Sequence, residues 1–587
     1  MVNKLFLFVS KYYALLIGVG VATTLAAIAS HSDFFYISKM AERVASGNLH
    51  IYDNLIVNGV DYGKFIMPPT IFLLDGGLFY IFKLLHIINF SFGLYEIPTI
   101  THNLLLKSRF ILLLILSYPL VKQTALVFTK NNEAASRRIV NIWIVSPVLL
   151  YLTFTQGNND IYPTLLSITF LLFAFKKKYI LAMIFLGLAA AAKNYALFLI
   201  PPMAIILADK NLIKTIKYSA ISLGIYLIPV LFYVGDIKRF FTGGGEGLFI
   251  LETVLPAHFN YMVFPILYVF LLCFLYFNEN GLSKDKSKDI VLYGFLTLSL
   301  FFATSFFIPQ WFLWILPFFV LLVYKNNKLF SLYVIIVTVF LFSLLTNWSN
   351  NLDLQLYRPV LPMNLAEVTM PGSVKIISFV SSIFVGLYFS FIYILTRNTR
   401  NLKEDEPKMV VLKSLLPLVA LLLVIAGFAV ISSKITKDAK TISSMISNND
   451  YALTDEITNN EINGPESVNA KQNNDSLKAI TNDPMIIVKT NKEIKSSRDN
   501  PSIVLVKYKG DKFDPQLYWN KENNFSESLS NTKFHSLGNG VFWTKIDRIL
   551  MGIEIKKDYT INYLRFDPAR KATNFEVEYI KVIRLNN

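Results

Sequence analysis

Three polar sites interrupt an otherwise apolar sequence and carry side chains that could do chemistry. Asp33 follows the first apolar run, where a carboxylate could accept a proton. Thr155–Asp160 is a Gly/Asn-rich turn between two apolar runs, and Lys193 ends the small-residue stretch Ala189–Ala192. Each has a simpler explanation as a solvated helix end, a plain turn or a lysine that snorkels to the membrane interface. A charge kept at a membrane boundary is nevertheless a functional candidate.

The composition places these sites in a membrane protein. Of the 587 residues, 54% are hydrophobic and only 16% are charged, whereas a soluble protein carries roughly a quarter charged residues. The formal net charge of +16 comes from short basic clusters between apolar runs. That distribution is typical of membrane topology signals, so we expect a lipid bilayer as the surroundings and no nucleic-acid partner. The single cysteine, Cys273, excludes a disulfide framework and a cysteine metal site.

A helix needs about 20 apolar residues to cross a bilayer, and thirteen segments are candidates. They are residues 5–29, 106–129, 139–155, 161–175, 179–192, 195–208, 216–235, 261–277, 290–308, 310–324, 328–347, 374–396 and 410–432. With the N-terminus in the cytoplasm, thirteen crossings put every basic cluster inside, as the positive-inside rule requires. The number of crossings agrees with the positive-inside rule only if residues 67–90 make no net crossing. We therefore predict a re-entrant hairpin broken at Asp75-Gly76-Gly77, with a full span as the alternative.

Three domains follow from the changes in pattern. Residues 1–433 are the predicted helical domain in the plasma membrane. Residues 434–500 are rich in Asn, Ser, Asp and Lys and are typical of a linker with partial structure. Residues 501–587 alternate as β-strands do, which predicts a small antiparallel β-sandwich. The expected fold is an all-α polytopic membrane bundle of about 13 transmembrane helices with an outer hairpin, followed by an extracytoplasmic β-sandwich.

Along residues 1–400 the polar segments resemble, in order, motifs of the GT-C superfamily of membrane glycosyltransferases. The resemblance is to the polyprenol-phosphate-mannose mannosyltransferases of actinobacteria and to the catalytic subunit of GPI mannosyltransferase I. The matching segments are Ser32–Tyr36, Gly47–Asp53, Met67–Pro69, Gly157–Asp160, Lys176–Lys178, Lys193–Tyr195, His258–Tyr261 and Gln310–Trp314. The GPI enzyme has a D-x-D-like start where this chain has only Asp33, which argues against a metal. The C-terminal β domain lies outside the resemblance.

The resemblance implies transfer of a sugar from a polyprenyl-phosphate-linked donor to an envelope glycan, a lipid-linked glycan or a protein. No cofactor and no divalent metal are expected. Because the departing phosphate is already a stable anion, one carboxylate that deprotonates the acceptor hydroxyl suffices. Inversion is expected, since a retaining route usually needs a second carboxylate.

The needs of this reaction, together with the resemblance, assign predicted roles to individual residues. Asp33 is the predicted catalytic base. The predicted ligands of the donor phosphate are Lys193, Lys64, Gln310 and Trp311. The predicted contacts of the sugar or the acceptor are Tyr36, Gln156, Asn159, Asp160 and His258.

Two other functions stay open. A transporter or flippase of lipid-linked glycans should have broken helices at mid-membrane in paired halves, whereas the polar residues here cluster at the predicted outer face. An O-antigen ligase or polymerase would favour a large arginine-rich outer loop, and residues 236–260 hold only Lys238 and Arg239 as basic residues. The glycine-rich stretch 243–247 within that loop is a candidate lid or a plain flexible loop.

Overall fold

The computed structural model describes a defined part of the chain. The described residues are 2–29, 32–53, 56–57, 60–61, 68–85, 99–233, 254–255, 261–278, 282–283, 285–304, 309–324, 326–347, 383, 386–387, 389–391, 393, 407–458, 470–473, 476–479, 485–496, 502–510, 515–521, 530–531, 534–546, 548–550, 553–555, 559–567 and 574–586. The chain divides into two compact units, one of residues 1–366 and 372–425 and the other of residues 367–371 and 426–587. The first unit is mostly helical and the second is mostly antiparallel β-sheet.

The described helices of the first unit are mostly apolar, and residues 426–447 of the last one belong to the second unit. They are α1 Val2–Ile28, α2 Ser32–Ala45, α3 Pro69–Leu84, α4 Ile100–Phe128, α5 Glu133–Ile144, α6 Pro147–Leu150, α7 Ile161–Phe175, α8 Tyr179–Ala192, α9 Ile200–Leu207, α10 Leu212–Phe232, α11 Val263–Phe277, α12 Lys286–Thr304, α13 Leu316–Val323, α14 Asn327–Asn347 and α15 Pro407–Ser447. The first eleven predicted spans each coincide with one of these helices or with a broken helix, and the thirteenth lies within α15. The twelfth, 374–396, lies mostly outside the described residues.

Five helices in the described part of the chain are long and apolar enough to cross a membrane. They are Ile100–Phe128, Glu133–Thr155, Leu212–Phe232, Lys286–Thr304 and Met409–Gly427. Other apolar helices, among them Ile161–Phe175 and Tyr179–Ala192, are shorter. Several of the predicted spans are interrupted near prolines, which lack the N–H that a helix interior needs. The helical stretch 133–155, for example, breaks before Pro147 and ends in the π-helical turn Tyr151–Thr155. The predicted total of thirteen crossings stays a prediction.

The structure changes the expected setting of Asp33. We predicted a loop after the first helix, but α2 begins at Ser32, so the backbone of Asp33 lies in the first turn of a helix. Helix α2 is amphipathic because Phe34, Ile37, Ala41 and Ala45 recur on one face and are buried. The predicted loop is therefore wrong at this point: this apolar stripe lets the segment pack as a helix.

The predicted break at residues 75–77 is also wrong, since α3 is continuous from Pro69 to Leu84. Gly76 allows the helix to pack directly on α2: a Cβ atom there would lie 2.4 Å from Cγ1 of Val44 and 3.3 Å from the carbonyl oxygen of Ala41. The glycine thus serves close helix packing. The predicted second arm, residues 78–90, continues α3 as far as Leu84, and residues 86–90 lie outside the described residues.

The C-terminal unit contains two antiparallel sheets that share a core. The first unit holds the short strands β1 Ile56–Val57, β2 Val60–Asp61, β3 Val254–Leu255 and β4 Tyr261–Met262. The strands of the C-terminal unit are β5 Tyr451–Thr458, β6 Ala470–Asn473, β7 Ser476–Ala479, β8 Ile486–Ser496, β9 Ile503–Gly510, β10 Gln516–Asn520, β11 Ser530–Asn531, β12 His535–Gly538, β13 Val541–Lys545, β14 Arg548–Leu550, β15 Ile553–Ile555, β16 Tyr559–Asp567 and β17 Asn574–Leu585. One sheet has the order β11-β10-β16-β8 and the other β12-β13-β9-β17-β7-β6, with β5 also on β17. Side chains of β8, β10 and β16 meet those of β9 and β17 in one apolar cluster, as in a β-sandwich.

The sandwich begins earlier than predicted. Strands β5 and β8 lie within the predicted linker 434–500, yet β5 pairs with β17 and β8 pairs with β16. Strand β8 buries Ile486, Val488 and Ile494 and exposes much of its remainder. Its polar exposed side chains explain why the sequence is typical of a linker. On the second face of the larger sheet, Ile442 and Ile446 at the end of α15 pack against Trp543.

Candidate functional site

The centre of the helical unit holds a fully buried carboxylate, Asp75, surrounded by hydrogen-bond donors. Its Oδ1 accepts from Nε of Arg109 at 2.9 Å and from the hydroxyl of Tyr162 at 2.5 Å. Its Oδ2 accepts from Nη2 of Arg109 at 3.2 Å and from Nδ2 of Asn159 at 2.7 Å. Arg109 is also fully buried and donates as well to the carbonyl of Leu106. An ion pair tolerates such burial only when its geometry and hydrogen bonding are this complete.

Lys107, on the same helix, has no carboxylate partner among the described residues. Its ammonium donates to the carbonyl oxygens of Ala29 and Phe154, both at 2.6 Å, and to that of Thr155 at 3.3 Å. One turn earlier, Asn103 donates to the carbonyl of Ala29 at 3.4 Å. Helix ends leave carbonyl groups without partners and favour a nearby cation. Lys107 therefore joins the ends of α1 and of the π-helical turn.

The turn at residues 156–160 is shaped by one glycine and one asparagine. Gly157 has a φ of +70°, and a Cβ atom there would lie 2.6 Å from the ring of Phe34 on α2. Only glycine fits that backbone conformation and that contact without strain. Oδ1 of Asn158 accepts from the backbone N–H of Asp160 at 3.0 Å, a local turn typical of asparagine. The start of α2 and this turn are thus in direct contact.

Asp160 connects two further segments to the turn. Its Oδ1 lies 3.3 Å from Nζ of Lys193, and its Oδ2 accepts from Nε1 of Trp314 at 2.8 Å. Tyr195 stacks on Trp314 with ring centroids 3.9 Å apart and planes 8° from parallel. Ala189–Ala192, which precede Lys193, are all fully buried. The Lys193–Tyr195 and Gln310–Trp314 segments therefore meet at Asp160.

Four of the ten predicted site residues have described side chains, and all four lie at this turn. They are Gln156, Asn159, Asp160 and Lys193. The Oε1 of Gln156 is buried and has no hydrogen-bond partner among the described residues. The side chains of Asp33, Tyr36, Gln310 and Trp311 lie outside what the structure describes, although their backbones are in helices, and Lys64 and His258 lie outside it altogether, as does the stretch 243–247.

The buried pair of Asp75 and Arg109 is not among the predicted site residues. In the sequence, Asp75 predicts only a break, and Lys107 and Arg109 fall within the predicted apolar span 106–129. A usable signal was present, because opposite charges in two apolar segments predict a buried pair. Among the described residues no group of three or more His, Cys, Asp or Glu side chains could hold a metal ion. The expectation of metal-independent chemistry stays a prediction.

Comparisons with known proteins add a distant structural similarity. No family model and no curated protein matches the chain. The chain is similar to the arabinosyltransferase EmbB from Mycobacterium smegmatis, with 11% identity and a TM-score of 0.37 over 98% of this chain and 64% of that one. It is also similar to ArnT from Cupriavidus metallidurans, with 13% identity and a TM-score of 0.37 over 73% of this chain and 76% of that one. The chain thus spans less than two thirds of the EmbB chain, and similarity at this level assigns neither a fold family nor an activity.

Proposed function

We propose that the chain is a membrane glycosyltransferase of the GT-C type that takes its sugar from a polyprenyl-phosphate donor. One observation carries the proposal: segments that carry the resemblance, far apart in sequence, converge on one turn. Phe34 packs on Gly157, and Lys193 and Trp314 both bond Asp160. The acceptor is an envelope glycan, a lipid-linked glycan or a protein, and the sugar is mannose-like, in keeping with the resemblance.

The reaction needs a base and a cation. The acceptor hydroxyl loses its proton as it attacks the anomeric carbon, and the bond from that carbon to the phosphate oxygen breaks with inversion. A carboxylate accepts the proton, and positive charge stabilises the leaving phosphate. Lys193 supplies the positive charge; its side chain is 16% exposed. Gln310, Trp311 and Lys64 are the further proposed contacts of the donor phosphate.

Asp33 is the proposed base because the two described carboxylates of the site are engaged elsewhere. Asp75 accepts four hydrogen bonds and is fully buried. Asp160 is 1% exposed and holds Lys193 and Trp314. Asp33 directly precedes Phe34, so its backbone lies beside the turn while belonging to a different helix. Tyr36, Gln156 and His258 are proposed contacts of the sugar or the acceptor.

The test is Asp33→Asn, which keeps the shape of the side chain and removes the proton acceptor. With labelled polyprenyl-phosphate mannose and an envelope acceptor extract, we expect turnover of the purified variant to fall about 10²–10⁴-fold while donor binding is kept. Glu42→Gln is the matched control on the same helix. Among the described residues, Glu42 forms a partly exposed ion pair with Lys39 at 3.1 Å. Such pairs contribute little, so the control should match the wild type.

Two results would contradict the proposal in different ways. Normal turnover of Asp33→Asn removes this residue from the mechanism and shifts the search to Asp160. Movement of a lipid-linked glycan across proteoliposomes, with no sugar transfer by the wild type, favours a transporter instead.

A further inference from the structure

We propose that Asp75 is a positioning residue that holds Lys193 in place for the donor phosphate, acting through Asn159 and Asp160. The inference rests on the proposed function, since it concerns the geometry of the same site. Asp75 lies on α3 and Lys193 directly follows α8. No hydrogen bond or ion pair joins the two in the described part of the chain, so the connection runs through the turn that precedes α7.

The first step is the orientation of the Asn159 amide. A carboxylate can only accept hydrogen bonds, so the amide of Asn159 must present Nδ2 to Asp75, at 2.7 Å. Arg109, on α4, donates to the same carboxylate from two guanidinium nitrogens, and the hydroxyl of Tyr162 also donates to it. Asn159 is fully buried. Full burial suits a residue that fixes the backbone of the turn better than one that contacts substrate.

The second step is the transfer of that constraint to Asp160. The backbone N–H of Asp160 donates to Oδ1 of Asn158 at 3.0 Å, and its carbonyl accepts from the hydroxyl of Thr164 at 2.6 Å. Asp75 holds Asn159, the residue before Asp160, and α7 begins at Ile161, the residue after it. The backbone of Asp160 is therefore fixed at both ends, which fixes the direction of its carboxylate. Its Oδ1 then lies 3.3 Å from the ammonium of Lys193. Asp75 therefore sets the position of a cation that it does not touch.

A purely structural role is the rival explanation, because Asp75 also joins α3, α4 and α7. Breaking a buried charge pair destabilises a protein whatever the site does. The two roles differ in one measurable respect. A positioning residue affects donor binding only through Lys193, whereas a structural residue affects it independently.

The experiment is a double-mutant cycle on donor binding, with polyprenyl-phosphate mannose as the probe and detergent-purified full-length protein. We expect Asn159→Ala to weaken donor binding about tenfold, the cost of losing one hydrogen bond to a charged group. Lys193→Ala should weaken it at least as much. The double variant should bind no more weakly than Lys193→Ala alone. The control is Asn141→Ala, which removes another buried amide; Nδ2 of Asn141 donates to the hydroxyl of Tyr13 at 3.0 Å. Any change that Asn141→Ala makes in the donor Kd should be the same with and without Lys193→Ala.

Independent effects of Asn159→Ala and Lys193→Ala, multiplying in the double variant, would overturn the positioning role. Tyr162→Phe provides a second route if Asn159→Ala does not fold, because it removes one donor to Asp75 and keeps the ion pair with Arg109. The effect of Tyr162→Phe on donor binding should likewise disappear in the Lys193→Ala background. Wild-type protein that neither binds nor uses the donor overturns the proposed function itself, which separates the two failures.

Discussion

At the scale of single residues, the structure gives Lys193 an ion-pair partner that the sequence does not reveal. From the sequence it is an isolated cation on the predicted outer side of the membrane. In the structure it forms an ion pair with Asp160 at 3.3 Å and keeps part of its side chain exposed. Asp160 has Trp314 and Asn158 as further donors. The carboxylate therefore stays hydrogen-bonded when the ammonium turns toward an anion.

Lys193→Ala is predicted to weaken use of the lipid donor, and Lys193→Arg should keep part of it because the positive charge remains. Transfer from polyprenyl-phosphate mannose, measured over a range of donor concentrations, gives the change in KM. If both variants transfer sugar with wild-type kinetics, Lys193 is a structural partner of Asp160 and does not contact phosphate.

At the scale of elements, two adjacent glycines on α3 differ in their surroundings. Gly76 faces α2, where an added Cβ atom would lie 2.4 Å from Cγ1 and 2.6 Å from Cβ of Val44. The Cβ atom of Val44 cannot move without moving the backbone of α2. Gly77 has nothing within 4 Å of its Cβ position. The first glycine sets the distance between two helices, and the second does not.

We predict opposite effects of alanine at these two positions on stability in detergent. Gly76→Ala should destabilise the protein by about 1–3 kcal/mol, because overpacking pushes α2 from α3. Gly77→Ala should be neutral or stabilise by up to about 1 kcal/mol, because alanine favours the helix. Thermal unfolding of the two variants measures both effects. Equal shifts in the midpoint would show that α2 and α3 do not pack as described.

Gly76→Ala should also lower sugar transfer if α2 carries the catalytic base. The shift of α2 would move the backbone of Asp33 relative to the turn, since Phe34 rests on Gly157. A misplacement of about 1 Å is enough to cost a large factor in rate.

At the scale of the whole molecule, the orientation in the membrane is set by charge and not by the fold. The apolar helices alternate with basic clusters such as Lys176–Lys178, which the positive-inside rule places in the cytoplasm. The predicted thirteen crossings from a cytoplasmic N-terminus predict that residues 434–587 are extracytoplasmic.

A reporter that is active only in the cytoplasm tests this orientation. Fused after Asn587 of the full-length chain it should be silent, and inserted after Lys178 it should be active, because that corner is predicted to be cytoplasmic. Strong activity of the C-terminal fusion would overturn the whole topology, including the side on which Asp33 acts.

The sequence alone determined the elements of this protein. Runs of apolar residues predicted helices that the structure contains, and alternation after residue 501 predicted the sandwich strands. It failed at α2 and at β5–β8, where polar side chains on one face concealed an ordered element. It also failed at Asp75-Gly76-Gly77, where a charge and two glycines predict a break and α3 is continuous. The sequence also singled out Asp160 and Lys193, but as separate sites.

Only the tertiary structure decided which of these residues meet. Asp75 and Arg109 are 34 positions apart, and Asp160 and Trp314 are 154 apart. Hydropathy and periodicity are local properties, so they identify what each segment buries but not what it is buried against. A buried polar group must find a partner wherever packing brings one within reach. The packing of distant helices therefore decided that Asp75 on α3 accepts a hydrogen bond from the turn before α7. It also decided that Asp160 in this turn pairs with Lys193 after α8.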